Sequence, residues 1–185
     1  MTLARLPRRP LLAAGVALAL SPWHTLAMPA PQEVQAELPG ARLQGSGRLR
    51  FIGLRVYEAR LWVGERMVGA DWYVPLALEI EYQRSLDGAK IAERSLAEMR
   101  RQGEITASVA ERWLAAMTQA FPNVREGDRL TGFLMPGQGA RFFVNGRLSG
   151  ELRDAEFARS FFGIWLSPQT SEPSLRQALF GQARP

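Results

Sequence analysis

The stretch GSGRLRFIGLRVYEARLW, Gly45 to Trp62, gathers arginines (Arg48, Arg50, Arg55, Arg60), one acid (Glu58) and a tyrosine (Tyr57). Such a set can carry a reaction, hold a ligand, or decorate one face of a sheet. The chemistry open to it is narrowed by what the chain lacks. There is no cysteine, and the single histidine is His24. Ser-His-Asp and Cys-His catalysis and thiolate zinc sites therefore have no material once His24 is gone. We expect no metal and no cofactor.

His24 lies in a segment that reads as a targeting signal. Arg5, Arg8 and Arg9 precede the apolar run Leu11–Leu20, and Ser21, Pro22 and small residues follow up to Ala27. A charged start, a short apolar run and a small-residue cut describe a secretory signal peptide. The run is shorter than the roughly 20 apolar residues a spanning helix needs. Residues 1–27 are thus expected to be removed on export to the periplasm, with no stable membrane span afterwards; cleavage after Ala30 and an uncleaved anchor are the alternatives. The pair Arg8-Arg9 also fits twin-arginine export. Export without cysteine leaves the core to hold the fold without disulfides.

The 185-residue chain has 23 basic and 18 acidic side chains, with Lys90 its only lysine. Three of the arginines and none of the acids fall in residues 1–27, so the excess nearly vanishes in the mature chain. The remaining basic residues are spread along the sequence. Nucleic-acid binding needs them clustered on one face, so no nucleic-acid partner is expected. The sequence names no protein partner.

The elements that must position these residues follow from periodicity. Residues 28–40, MPAPQEVQAELPG, read as an N-terminal lead-in to a domain spanning 41–185. Strands are expected over Arg48–Ile52 and Leu54–Val63. Tyr57, Ala59, Leu61 and Val63 share one face of the second. In YVPLALEIEY, Val74, Leu76, Leu78, Ile80 and Tyr82 share one face. Glu79 and Glu81 share the other, which predicts one buried and one wet side. Pro75 removes a ladder donor and marks a strand start or an edge.

Two helices follow. Asp87 caps the first, whose apolar stripe is Ile91, Ala92, Leu96 and Met99; Arg100, Arg101 and Gly103 suit its end. Ser108 and Glu111 have capping-box spacing for the second, with Trp113, Met117 and Ala120 as its stripe. A meander comes next: Leu130–Met135, a PGQG turn, Ala140–Val144, and Asn145-Gly146 as a hairpin turn into Arg147–Leu152. Asp154 caps a helix carrying Phe157, Phe161 and Ile164. Ser174 and Gln177 open a last short helix with Leu175 and Leu179, closed by Gly181. Runs of strands and runs of helices without βαβ alternation argue for an α+β fold, an antiparallel sheet with helices packed on one face.

In order and spacing, GSGRLRFIGLRVYEARLW, LEIEYQRSLDGAKIAERSLAEM, FPNVREGDRLTG, FFVNG and FARSFFGIWLSPQTSEPSLRQAL resemble the chalcone isomerase-like family, in its bacterial exported branch. The resemblance covers Gly45 to Leu179. It implies an open-faced sandwich, with a cleft between sheet and helices. Plant enzymes of that family close a chalcone into a flavanone, using an arginine, a threonine, a tyrosine and an asparagine. Carried over, Tyr57 stands at the threonine position, Ile91 at the tyrosine position and Glu98 at the asparagine position. Arg48 and Arg50 flank the arginine position, held by Leu49. Isoleucine can neither donate nor accept a hydrogen bond, and a glutamate brings charge where a developing enolate wants a donor. The isomerase site therefore reads as dismantled.

Some plastid members of the family bind fatty acids through an arginine at the carboxylate, and an arginine fork matches a carboxylate. The expected function is thus a non-catalytic protein binding a small apolar or amphipathic ligand such as a fatty acid. Arg48 or Arg50 would hold its head group, with Tyr57, Tyr82, Ile91 and Glu98 at the site. The alternative is an isomerase or intramolecular lyase on an unsaturated carbonyl compound, with Tyr57, Glu98 and an arginine as its acid–base set. Arg48 and Arg50 share a face by alternation; if that face is wet, they are decoration.

Overall fold

A computed structural model describes residues 28–65, 67 and 71–182 of the chain. The expected signal segment, 1–27, lies outside the described residues. Six strands form one sheet in sequence order, every neighbour antiparallel: β1 (Arg42–Phe51), β2 (Leu54–Val63), β3 (Leu76–Tyr82), β4 (Arg129–Met135), β5 (Gly139–Val144) and β6 (Arg147–Leu152). Between β3 and β4 the chain leaves the sheet through α2 (Gly88–Arg100) and α3 (Ala107–Ala120). After β6 come α4 (Ala155–Leu166) and α5 (Pro173–Leu179). This is the α+β open-faced arrangement that the element order predicts.

The main core lies between the sheet and these four helices. Ala59, Leu61 and Val63 from β2 and Leu76, Leu78, Ile80 and Tyr82 from β3 meet Ala92, Leu96 and Met99 of α2 and the α4 aromatics Phe157, Phe161 and Phe162. At the first strand, α5 lies directly on glycine. A side chain at Gly45 would overlap the carbonyl of Ala178, and one at Gly47 would meet Leu175 and Ala178. Gln44 extends the contact by donating to the carbonyl of Phe180 at 3.2 Å.

Several sequence expectations need correction. Strand β1 begins at Arg42, well before Arg48, because Gly45 and Gly47 are strand residues that admit a helix backbone. The lead-in contains a one-turn helix, α1 (Gln32–Glu37), whose Val34 is fully buried. It covers part of the sheet face opposite the other helices, packing with Trp62, Ala77, Phe133 and Phe143.

That face is consequently not wet along its length. Glu79 is only 2% exposed. Its carboxylate accepts from Arg60 Nη1 at 3.0 Å and from the Trp62 indole N–H at 2.8 Å. Arg60 also binds Glu81 at 2.8 Å and Glu58 at 3.1 Å. Next to them, buried Glu33 accepts from Arg129 at 3.0 Å and Thr131 at 3.1 Å. Burial of these charges is tolerated because each is paired and hydrogen-bonded.

Helix caps divide into those the local chemistry fixes and those it does not. Asp87 accepts from the N–H groups of Ala89 and Lys90, and Asp154 from that of Phe157. The second capping expectation fails: α3 starts at Ala107 after Thr106, and Ser108 lies inside the helix. Helix α5 starts at Pro173, so Ser174 is its second residue rather than its cap. Proline suits that first position, where no N–H partner exists.

Candidate functional site

The candidate site is the seam between the helix-facing side of β2–β3 and the helices α2 and α4. Tyr57 and Tyr82 are cross-strand partners there. Their rings meet edge to face, with centroids 6.4 Å apart and planes at 80°. Both lie on the apolar face by period-two alternation, as the sequence pattern requires.

The Trp165 indole, on α4, donates to the Tyr57 hydroxyl at 2.8 Å. This bond ties the helix layer to the sheet. Among the described residues, neither tyrosine donates its own O–H to a protein acceptor, and the Tyr82 hydroxyl has no hydrogen bond. Burial pushes both phenols well above their ordinary range. For Tyr57 the carboxylates Glu172 and Glu98 add to the shift, while the Trp165 N–H and Arg94 oppose it. For Tyr82 the neighbouring Tyr57 adds to it. Both therefore remain neutral donors.

Helix α2 supplies the charged side of the seam. Ile91, Arg94 and Glu98 share a face at helical spacing. Ile91 packs, half-buried, against the core. Glu98 is 9% exposed, not solvent-facing as a surface helix glutamate would be. Arg94 binds one of its oxygens at 2.6 Å and Arg101 the other at 3.5 Å. Both arginines are largely exposed, at 72% and 58%, so these are ion pairs along the rim of one helix.

Tyr57, Tyr82, Ile91 and Glu98 thus belong to this side of the sheet. Arg48 does not. Its strand partner is Glu58, on the opposite face, and its Nε donates to the Glu58 carboxylate at 3.3 Å. The Arg48 side chain is 61% exposed. Arg50 follows a register shift, pairs across the strands with Arg55, and is exposed. The face that carries Arg48 is the polar one. Arg94, which the sequence reading did not single out, lies on the same helix face as Ile91, but its side chain is 72% exposed and pairs with Glu98. Trp165 was missed as well. Its position four residues after Phe161 extends the stripe Phe157–Phe161 by one turn and was a readable signal.

Two cavities stand out among the described residues, and neither touches Tyr57, Tyr82, Ile91 or Glu98. The better formed, about 340 Å³, lies at the other end of β3 between Leu38, Tyr73, Pro75, Phe133 and Met135. Among the described residues no group of three or more histidine, cysteine, aspartate or glutamate side chains could hold a metal ion. No helix among them is long and apolar enough to cross a membrane.

Comparison with known proteins agrees with this architecture. Residues 27–181 match the chalcone isomerase-like family. The chain belongs to that family. A Haemophilus influenzae protein described as uncharacterized is 27% identical over 110 residues, which is 60% of this chain and 54% of that one. The chain thus matches about half the length of that relative. In the crystal structure of an Arabidopsis thaliana fatty-acid binding protein the same fold recurs. The TM-score is 0.61 at 12% identity, over 77% of this chain and 87% of the plant protein. Likeness at that identity establishes the family fold and leaves the ligand to be argued from the site.

Proposed function

We propose that this family member is a non-catalytic binding protein for a small amphipathic molecule carrying a hydrogen-bond acceptor at its head, a fatty acid being the leading candidate. The observation that carries the proposal is the Tyr57–Tyr82 pair: two neutral phenol donors side by side against an apolar core, neither giving its O–H to a protein acceptor. Each phenol O–H is free to donate, and a ligand carboxylate or carbonyl would supply the acceptor. Ligand sites are typically apolar with a few such polar groups. Arg94, exposed at the rim and paired with Glu98, would have to turn inward to meet a charged head group. The fatty-acid binding role of the plant structural relative supports the same reading. So does the resemblance, which sets Ile91 and Glu98 at the family's tyrosine and asparagine positions, where neither supplies the same donor.

Occupancy would require the Trp165–Tyr57 bond to yield, and the apolar tail would run between sheet and helices. The alternative is an isomerase or intramolecular lyase with Tyr57 and Glu98 in its acid–base set; Glu98 is ion-paired with Arg94 and Arg101. The proposal includes export to the periplasm through residues 1–27. The test is titration of the full chain with a fluorescent fatty acid. Tyr82→Phe should weaken binding by about tenfold, the worth of one hydrogen bond to a charged acceptor. Equal affinity of parent and Tyr82→Phe would remove the phenol pair from the site.

A further inference from the structure

The β1–β2 hairpin runs past the rest of the sheet. The last β2–β3 partners are Tyr57 and Tyr82. Beyond them the Gln83 N–H still donates to the Val56 carbonyl at 2.9 Å; then Arg50↔Arg55 and Phe51↔Leu54 pair within the hairpin alone, and the strands close through Ile52 and Gly53. The tip exposes three large apolar side chains in a row: Phe51 at 65%, Ile52 at 85% and Leu54 at 57%. Single exposed apolar residues are ordinary, but a contiguous cluster marks an interaction surface.

The turn itself gives a second and independent sign. Ile52 has φ +49° and Gly53 φ +75°. The hairpin between β5 and β6 has the same geometry at Asn145 (φ +48°) and Gly146 (φ +80°). Asn-Gly suits this turn because both residues tolerate positive φ; a β-branched residue there is strained. The same chain therefore uses the relaxed solution at one hairpin and a strained apolar one at the other. Strain retained at one place points to a use for the side chain that imposes it.

Directly behind the apolar tip, Arg50 and Arg55 face each other across the strands. Like charges directly opposite destabilise a sheet, and among the described residues neither arginine forms an ion pair. We propose that this hairpin tip docks on a bilayer surface rich in anionic lipid. Phe51, Ile52 and Leu54 enter the boundary between head groups and acyl chains. The Arg50 and Arg55 guanidiniums bind lipid phosphates, which relieves their mutual repulsion. A second copy of the chain fits worse, since a two-fold contact at the tip would bring four arginines together. The tip lies at the same end of the sheet as Tyr57 and Tyr82, so docking would turn the seam toward the lipid. The inference does not depend on what the seam binds.

The chain has no cysteine, so one introduced thiol reports one place. In the full chain, Leu54→Cys labelled with nitrobenzoxadiazole should shift to the blue on vesicles of phosphatidylglycerol and phosphatidylethanolamine. Brominated acyl chains should quench it. The same label on Glu104→Cys, in the α2–α3 loop, should stay in water, which separates tip insertion from any adsorption through residues 1–27. On phosphatidylcholine alone the shift should be lost. Adding Ile52→Asn should reduce the apparent vesicle affinity of the tip signal by about tenfold, the worth of one large apolar side chain, while raising Tm. Adding Arg50→Glu with Arg55→Glu should abolish it. The proposal fails if the label at position 54 stays in water while the chain sits on vesicles. It fails equally if the label shifts with rising protein concentration and no lipid, which would make the tip a self-association surface.

Discussion

Tyr57 and Tyr82 stand opposite each other on neighbouring strands, yet only Tyr57 receives a hydrogen bond, from Trp165 at 2.8 Å. The difference gives the two phenols opposite energetic signs. Tyr57→Phe removes the acceptor of the part-buried indole N–H and should destabilise the fold by about 1 kcal/mol. Tyr82→Phe removes a hydroxyl that has no protein partner and should be neutral or slightly stabilising. Urea unfolding of both variants measures the contrast directly; equal losses would mean that Tyr82 has a partner in the folded protein.

Gly45 should tolerate no side chain. A Cβ there overlaps the main-chain carbonyls of Ala178 and Leu179, which no rotamer change relieves. Gly45→Ala is expected to cost about 2–3 kcal/mol through overpacking. Gly53→Ala, with open space around it but φ +75°, should cost less, about 1 kcal/mol. Thermal unfolding of the two variants side by side would show that ranking.

Glu79 anchors the polar network of the opposite face. Glu79→Ala strands the Trp62 N–H and takes one carboxylate from Arg60, which keeps Glu58 and Glu81. Removing one member of a buried pair costs about 3–5 kcal/mol, and the two remaining carboxylates put the expected loss near the lower end. Replacing Glu81, which is more exposed, should cost well under half as much in the same chemical denaturation assay.

The cap of α4 should make stability sensitive to acid. Burial alone would raise the Asp154 carboxyl. The Phe157 N–H, the Trp113 indole and Arg112 outweigh burial and hold it below the usual aspartate range. A depressed folded value means stability that is complete above the unfolded aspartate pKa of about 3.9 and lost as pH falls through the folded value. Tm should therefore drop below about pH 4, and Asp154→Asn should flatten part of that drop while lowering Tm at neutral pH. A Tm–pH curve with the same acid slope in both proteins would count against this assignment.

Much of the fold was legible where one face of an element met one uniform environment. The shared apolar face of β3, the Asn145-Gly146 turn and the Asp87 and Asp154 caps are local patterns with local causes, and the structure keeps them, although the second face of β3 is largely buried too. What could not be read depends on distant partners. Gly45 and Gly47 look like strand breakers until α5 is laid against them. Glu79 and Glu81 look equivalent until α1 covers one and leaves the other half open. Arg48 looked like a head-group anchor because arginine chemistry is right for the task. Its face is decided by register with Glu58, and a single strand read alone does not fix which side meets the helices. At the seam, Tyr57 and Tyr82 were readable from alternation. Their unequal hydrogen bonding depends on Trp165, more than a hundred residues away in sequence.

The contact of α5 with β1 also sets an order of events. The β1–β2 hairpin and the β4–β5–β6 meander pair strands that are adjacent in sequence, so they can zip up locally and quickly, whereas β3 and β4 must wait for α2 and α3 between them. The β1–α5 seam instead joins groups 136 residues apart, as in the bond from Gln44 to Phe180. Closing so long a loop costs entropy before any contact rewards it. It should form last during folding and open first under stress. Amide exchange in α5 should then outpace exchange in β3 and β4, and the chain ends should work as a clasp around a sheet that is already made.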